Sequence, residues 1–80
     1  MGREDIFNIV KRNTLEVLPE LSSEMITIEK RLKDLGANSV DRMEIVTMTL
    51  EELKLKIPLV ELGKLSNIEE LVDFLHDRIN

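Results

Sequence analysis

The chain has no cysteine, no tryptophan and no tyrosine, and among its 80 residues stand one histidine, two prolines, three glycines and two phenylalanines. Without cysteine there is no disulfide scaffold and no protein thiol nucleophile. A single histidine without cysteine cannot complete a zinc site of ordinary ligand count, so no metal is expected. The shortage of aromatic side chains, with a formal charge of -5, removes both the stacking rings and the basic stripe that nucleic-acid binders present. No apolar run approaches the length needed to span a bilayer or form a signal peptide, and anionic lipid would repel the acidic surface. A cytoplasmic protein that binds neither nucleic acid nor membrane is expected.

What is present is aliphatic and charged: 42% hydrophobic and 34% charged residues. That mix suits short amphipathic helices better than a sheet built on aromatic and β-branched runs. A chain this short commits most of its apolar side chains to one small core and leaves little for a deep catalytic cavity. The expectation is a single all-α domain over residues 1–80, monomeric and non-catalytic.

Ile6, Val10 and Val17 recur on one face, with Phe7 and Leu18 beside it, which predicts a first helix from Arg3 to about Leu18, ended by Pro19. Residues 19–38 carry Ser22, Ser23 and Gly36 as punctuation, and Ile26, Ile28, Leu32 and Leu35 are irregularly spaced. This pattern reads as a long loop pinned by those side chains, a length that in small domains more often serves a function. Asn38 opens a second helix to about Leu55, with Asp41 placed to complete a capping box. Pro58 fits the first turn of a short third helix closed by Gly63. Asn67 and Glu70 cap a fourth, whose stripe is Ile68, Leu71, Val72, Leu75 and Ile79.

The second helix has too many apolar residues for one buried stripe. If Ile45, Val46, Thr49 and Leu53 face the core, then Val40, Met43 and Thr47 face solvent beside Asp41, Glu44 and Glu51, but periodicity alone permits the opposite choice. Met43 and Met48 as mere core fillers is the competing reading. Ser39 by itself reads as a residue of a helix start. Its context adds more: it follows a flexible Gly36-Ala37 entry and a long loop, and it lies at the positive end of a helix, where a phosphate would meet unpaired N–H groups. No histidine or base motif lies near it in sequence, so activation as a hydrolase nucleophile lacks its partners. His76 flanks the stripe of the fourth helix and reads as a surface or boundary residue.

The segment Leu35-Gly36-Ala37-Asn38-Ser39-Val40-Asp41 resembles the signature of the acyl carrier proteins. In that family the serine at the start of the second helix receives 4'-phosphopantetheine from coenzyme A. Met43-Glu44-Ile45-Val46, Glu51-Glu52-Leu53, Ile57-Pro58 and Leu65-Ser66-Asn67-Ile68 follow at the offsets of the family. The resemblance implies a four-helix bundle of acyl-carrier type, with a long loop between the first two helices and a short third one. It also implies an arm attached at Ser39 and a protein that is substrate rather than catalyst. Asn38 stands where carriers usually have Asp, which removes a negative charge at the point a phosphopantetheinyl transferase reads.

Gly36 to Arg42 look most like the stand-alone donor carriers of polyketide β-branching cassettes, which serve antibiotic biosynthesis. This subgroup implies malonyl and acetyl cargo, an acyltransferase, a decarboxylating ketosynthase-like enzyme and an HMG-CoA-synthase-like enzyme as partners. Arg42 is then a candidate identity residue, against a reading as an ordinary solvated charge. Val40, Asp41, Arg42, Met43, Glu44, Thr47 and Glu51 are the candidate docking residues, with Glu52 beside them. Alternatives are a carrier of ordinary fatty-acid, polyketide or aminoacyl thioesters, and an unmodified helical adaptor that binds a partner through its second helix.

Overall fold

The computed structural model describes residues 1–79. Its order is α1 (Arg3–Val17), two 3-10 turns (Ser23–Met25 and Lys33–Leu35), α2 (Ser39–Leu53), α3 (Leu59–Leu62) and α4 (Ile68–Ile79), with no strand among the described residues. The all-α expectation, the long first connection and the short third helix are all met. No helix among these residues is long and apolar enough to cross a membrane.

Local chemistry accounts for most boundaries. Asp5 accepts a bond from the Gly2 N–H at 3.0 Å to start α1, and the Leu18 N–H closes it on the Thr14 carbonyl at 2.8 Å, one residue before Pro19. α2 ends at Leu53, two residues short of expectation. Lys54 turns left-handed at φ 57, and the Leu55 N–H reaches back to the Leu50 carbonyl at 2.9 Å. Pro58 sits at the cap of α3 instead of within it, and Gly63 closes that helix at φ -67, without a left-handed turn. Asn67 caps α4 by accepting from the Glu70 N–H at 2.9 Å, and Glu70 returns its bond to the Ser66 N–H, one residue outside the usual box.

The main core gathers Ile6 and Val10 of α1, Ile26 of the loop, Leu50 of α2, Leu62 of α3 and Ile68, Leu71, Val72 and Leu75 of α4. Each such side chain, fully buried, contributes on the order of 1.5–3 kcal/mol. The long loop is held by more than its apolar side chains. The first N–H groups of α4 donate to loop carbonyls, Ile68 to Lys30 at 2.9 Å and Glu69 to Ile28 at 2.8 Å, so the loop satisfies donors that a helix start leaves unpaired.

α1 lies against both α2 and α4. Between α1 and α2 runs a buried polar contact: the Asn13 side-chain N–H donates to Thr49 Oγ1 at 3.0 Å, and that hydroxyl donates to the Ile45 carbonyl at 2.8 Å. Ile45, Thr49 and Leu50 are buried, Val46 and Leu53 half-buried. The inward face of α2 is therefore the first of the two permitted choices, with Leu50 added to it.

Candidate functional site at the start of the second helix

Ser39 stands on a tightly built corner. Gly36 is left-handed at φ 102, where a side chain would be strained. The Ala37 N–H donates to the Leu32 carbonyl at 3.1 Å and the Gly36 N–H to the Lys33 carbonyl at 3.1 Å, the paired bonds of a Schellman ending. Ala37 is 3% exposed and packs with Leu18, Ile45 and Leu32. The entry to α2 is thus held by two backbone bonds and a buried methyl group, against the expectation of a flexible Gly36-Ala37 entry. The glycine serves a set conformation, not mobility.

Asn38 then caps the helix as expected. Its Oδ1 accepts from the Asp41 N–H at 2.8 Å, and Asp41 accepts from the Asn38 N–H at 3.2 Å. The amide oxygen performs the capping that a carboxylate would, without the charge. Ser39 is the first helical residue and is exposed. The N–H groups of Ser39 and Val40 have no acceptor among the described residues, so they and the helix dipole favour an anion beside the Ser39 hydroxyl. Arg42, one turn on, is half-buried. It donates from one amino group to the Ala37 carbonyl at 2.8 Å and from the other to Ser39 Oγ at 3.4 Å. That placement was not legible in the sequence, where Arg42 reads as a partner contact or a solvated charge.

The remaining candidates divide by exposure. Val40 is 69% and Met43 54% exposed, so Met43 is not a core filler, whereas Met48 is half-buried. Thr47, Glu44 and Glu51 share the exposed side, and neither of the two glutamates has an ion-pair partner among the described residues. Asp41 is half-buried and engaged in the cap. Glu52 is held in an ion pair with Arg12 of α1, and the carboxylate keeps the Arg12 pKa above its ordinary value through their hydrogen bond and charge attraction. Glu52 is thereby separated from the free acids of α2. Leu59 and Val60, the latter 77% exposed, extend the apolar surface across α3. Their signal in the sequence was an apolar pair directly after Pro58. His76 is half-buried on α4.

A cleft of about 540 Å³ is lined by α2 from Arg42 onward, by α3, by the start of α4 and by Arg31 to Lys33 of the long loop. Its lining mixes apolar side chains, including Met43, Val46, Leu62 and Leu65, with the basic residues Arg31, Lys33, Arg42 and Lys64. The site thus combines an exposed hydroxyl, an anion-favouring helix start and a cleft that shares Arg42 with it.

Known proteins share this frame. The family described as phosphopantetheine attachment site matches residues 10–75. The polyketide biosynthesis acyl-carrier-protein AcpK of Bacillus subtilis (strain 168) is 48% identical over 79 residues, covering 99% of this chain and 96% of that protein. An acyl carrier protein of Cyanidium caldarium is 34% identical over 79 residues, covering 98% of this chain and 91% of its own length. Among solved structures, a chain in the crystal structure of the curacin biosynthetic pathway HMG synthase in complex with acetyl donor-ACP superposes with a TM-score of 0.86. Its identity is 41%, over 94% of this chain and 96% of that one. This chain belongs to the acyl carrier proteins, non-catalytic carriers that work through a phosphopantetheine group.

Proposed function

We propose that the chain holds malonyl and acetyl groups as thioesters on a phosphopantetheine arm joined to Ser39, and delivers acetyl to an HMG-CoA-synthase-like enzyme for polyketide β-branching. The observation that carries this reading is the exposed Ser39 hydroxyl on a rigid helix start, in a chain similar almost end to end to one solved with an HMG synthase and described with an acetyl donor carrier. The residues around Ser39 suit the group. Its phosphodiester is an anion, and the free N–H groups of Ser39 and Val40 face the place where that anion belongs. When attached, the arm supplies the thiol that a cysteine-free chain lacks.

The chain's own residues act by presentation. Ser39 offers a hydroxyl to a phosphopantetheinyl transferase. Val40 and Met43 give an apolar contact next to the arm, and Asp41, Glu44, Thr47 and Glu51 give a polar, largely negative rim for a basic enzyme surface. Arg42 marks the carrier to its HMG-CoA-synthase-like partner. Contacts of this size and charge favour fast encounter and fast release, which suits a carrier that visits an acyltransferase, a decarboxylating ketosynthase-like enzyme and the synthase in turn. The unit acts as one carrier domain, a monomer, in the cytoplasm.

The test is intact mass after incubation with coenzyme A and a broad-range transferase. A gain of one phosphopantetheine that is lost in Ser39→Ala supports attachment there. A gain retained in Ser39→Ala moves the site, and no gain in the parent chain supports an unmodified adaptor. Presented with acyl-loaded carrier, an HMG-CoA-synthase-like enzyme that shows no preference for it over an unrelated fatty-acid carrier refutes the β-branching assignment.

A further inference from the structure

Arg42 is a cation that no carboxylate among the described residues pairs with. Acidic residues outnumber basic ones by sixteen to eleven, yet Arg42 makes no ion pair among the described residues. Its guanidinium is instead pinned to a main-chain carbonyl, that of Ala37, at 2.8 Å. That carbonyl belongs to a buried residue whose N–H is bonded to Leu32, so the anchor is itself held by packing and a backbone bond. A guanidinium is planar and rigid, and fixing one amino group aims the other. Here the other amino group points at Ser39 Oγ, from 3.4 Å.

A contact of 3.4 Å to a neutral hydroxyl is long and weak. For an anionic oxygen two bonds beyond Oγ, on the phosphorus, a guanidinium placed here is favourable, since charge-assisted bonds to phosphate are shorter and roughly twice as strong as neutral ones. Asp41 in the same turn and Glu44 on the next would repel such an anion, and Arg42 is the cation positioned to offset them.

We propose that Arg42 is a positioning residue for the phosphodiester of the arm, bridging it to the Ala37 carbonyl. Because Arg42 also lines the cleft with Met43 and Leu65, the bridge directs the first segment of the arm toward the cleft and away from the acidic side of α2. The proposal rests on attachment at Ser39.

The test uses apo and holo forms, separated and verified by intact mass, of the parent chain, Arg42→Gln and Arg42→Lys. In the parent, the Arg42 Nε–Hε resonance, assigned by its loss in Arg42→Lys, moves on conversion from apo to holo. The holo-minus-apo difference in thermal midpoint at low ionic strength exceeds that of Arg42→Gln by roughly 2–6 °C. Arg42→Lys, which keeps the charge but not the fork, recovers only part of that excess. The excess shrinks in about 0.5 M salt, where exposed charges are screened. An unmoved Arg42 resonance in a fully converted holo-protein, or equal midpoint differences in parent and Arg42→Gln, overturns the bridge while leaving attachment at Ser39 intact. Absence of any mass gain at Ser39 overturns both.

Discussion

Thr49→Val is the sharpest probe of how the second helix is held. The two side chains have nearly the same shape, so the substitution leaves packing at this fully buried position almost unchanged and removes a hydroxyl. That hydroxyl accepts the Asn13 side-chain N–H across the α1–α2 contact, and the Ile45 carbonyl it also serves lies within the same helix. Asn13 is 4% exposed, so its amide has little access to solvent. A buried donor left without an acceptor costs about 1–3 kcal/mol, against roughly 0.5–1.5 kcal/mol for the net value of an ordinary hydrogen bond. Part of this is offset, since valine is the more apolar residue, so about 1–2 kcal/mol of destabilisation is expected. For a chain of this size that lowers the midpoint by roughly 4–16 °C. Urea and thermal unfolding followed by circular dichroism measure it. The same change made in an Asn13→Ala background should cost at least about 0.5 kcal/mol less, because no donor is then stranded. A Thr49→Val effect within about 0.5 kcal/mol of zero, or equal effects in both backgrounds, refutes the role of this contact.

At Lys54, left-handed at φ 57, replacement by Gly relieves backbone strain and stabilises by about 0.5–1 kcal/mol in urea unfolding. The opposite follows for Gly36→Ala: a Cβ meets open space there, so the cost is backbone strain alone, about 1–2 kcal/mol, with the fold retained. Glu44→Lys should lower the association rate with a basic partner enzyme several-fold and flatten its salt dependence, measured by stopped-flow binding. The Thr27 hydroxyl donates to Glu29 at 2.8 Å and holds that carboxyl below its ordinary pKa. A depressed carboxyl pKa adds stability above the unfolded-state pKa and loses it as pH falls through the folded one. Thr27→Ala should therefore raise the Glu29 pKa in an NMR titration and reduce stability near neutral pH but not in strong acid.

The start of α2 shows how far two levels of information diverge at one site. Asn38, Asp41 and the residues following Ser39 mark a capped helix and a carrier signature within seven positions. The same seven positions misled about Gly36 and Ala37. A left-handed glycine followed by alanine looks mobile in a string of letters, and becomes rigid only when Leu18, Leu32 and Ile45 close over the methyl group.

Helix starts, capping pairs and the stripe of α4 were determined by the sequence by itself, because they depend on residues three to five apart whose chemistry acts along the chain; the end of α2 at Leu53 was not. The carrier frame around Ser39 was legible through its resemblance to a known family signature. Only the tertiary structure decided which face of α2 is buried, since its apolar residues permit two stripes and the partner residue Asn13, thirty-six positions earlier, selects one. It also decided that Glu52 is tied to Arg12 and that Arg42 is turned back onto Ser39. Long charged side chains have no intrinsic direction, and their partners are set by where packing brings the backbone.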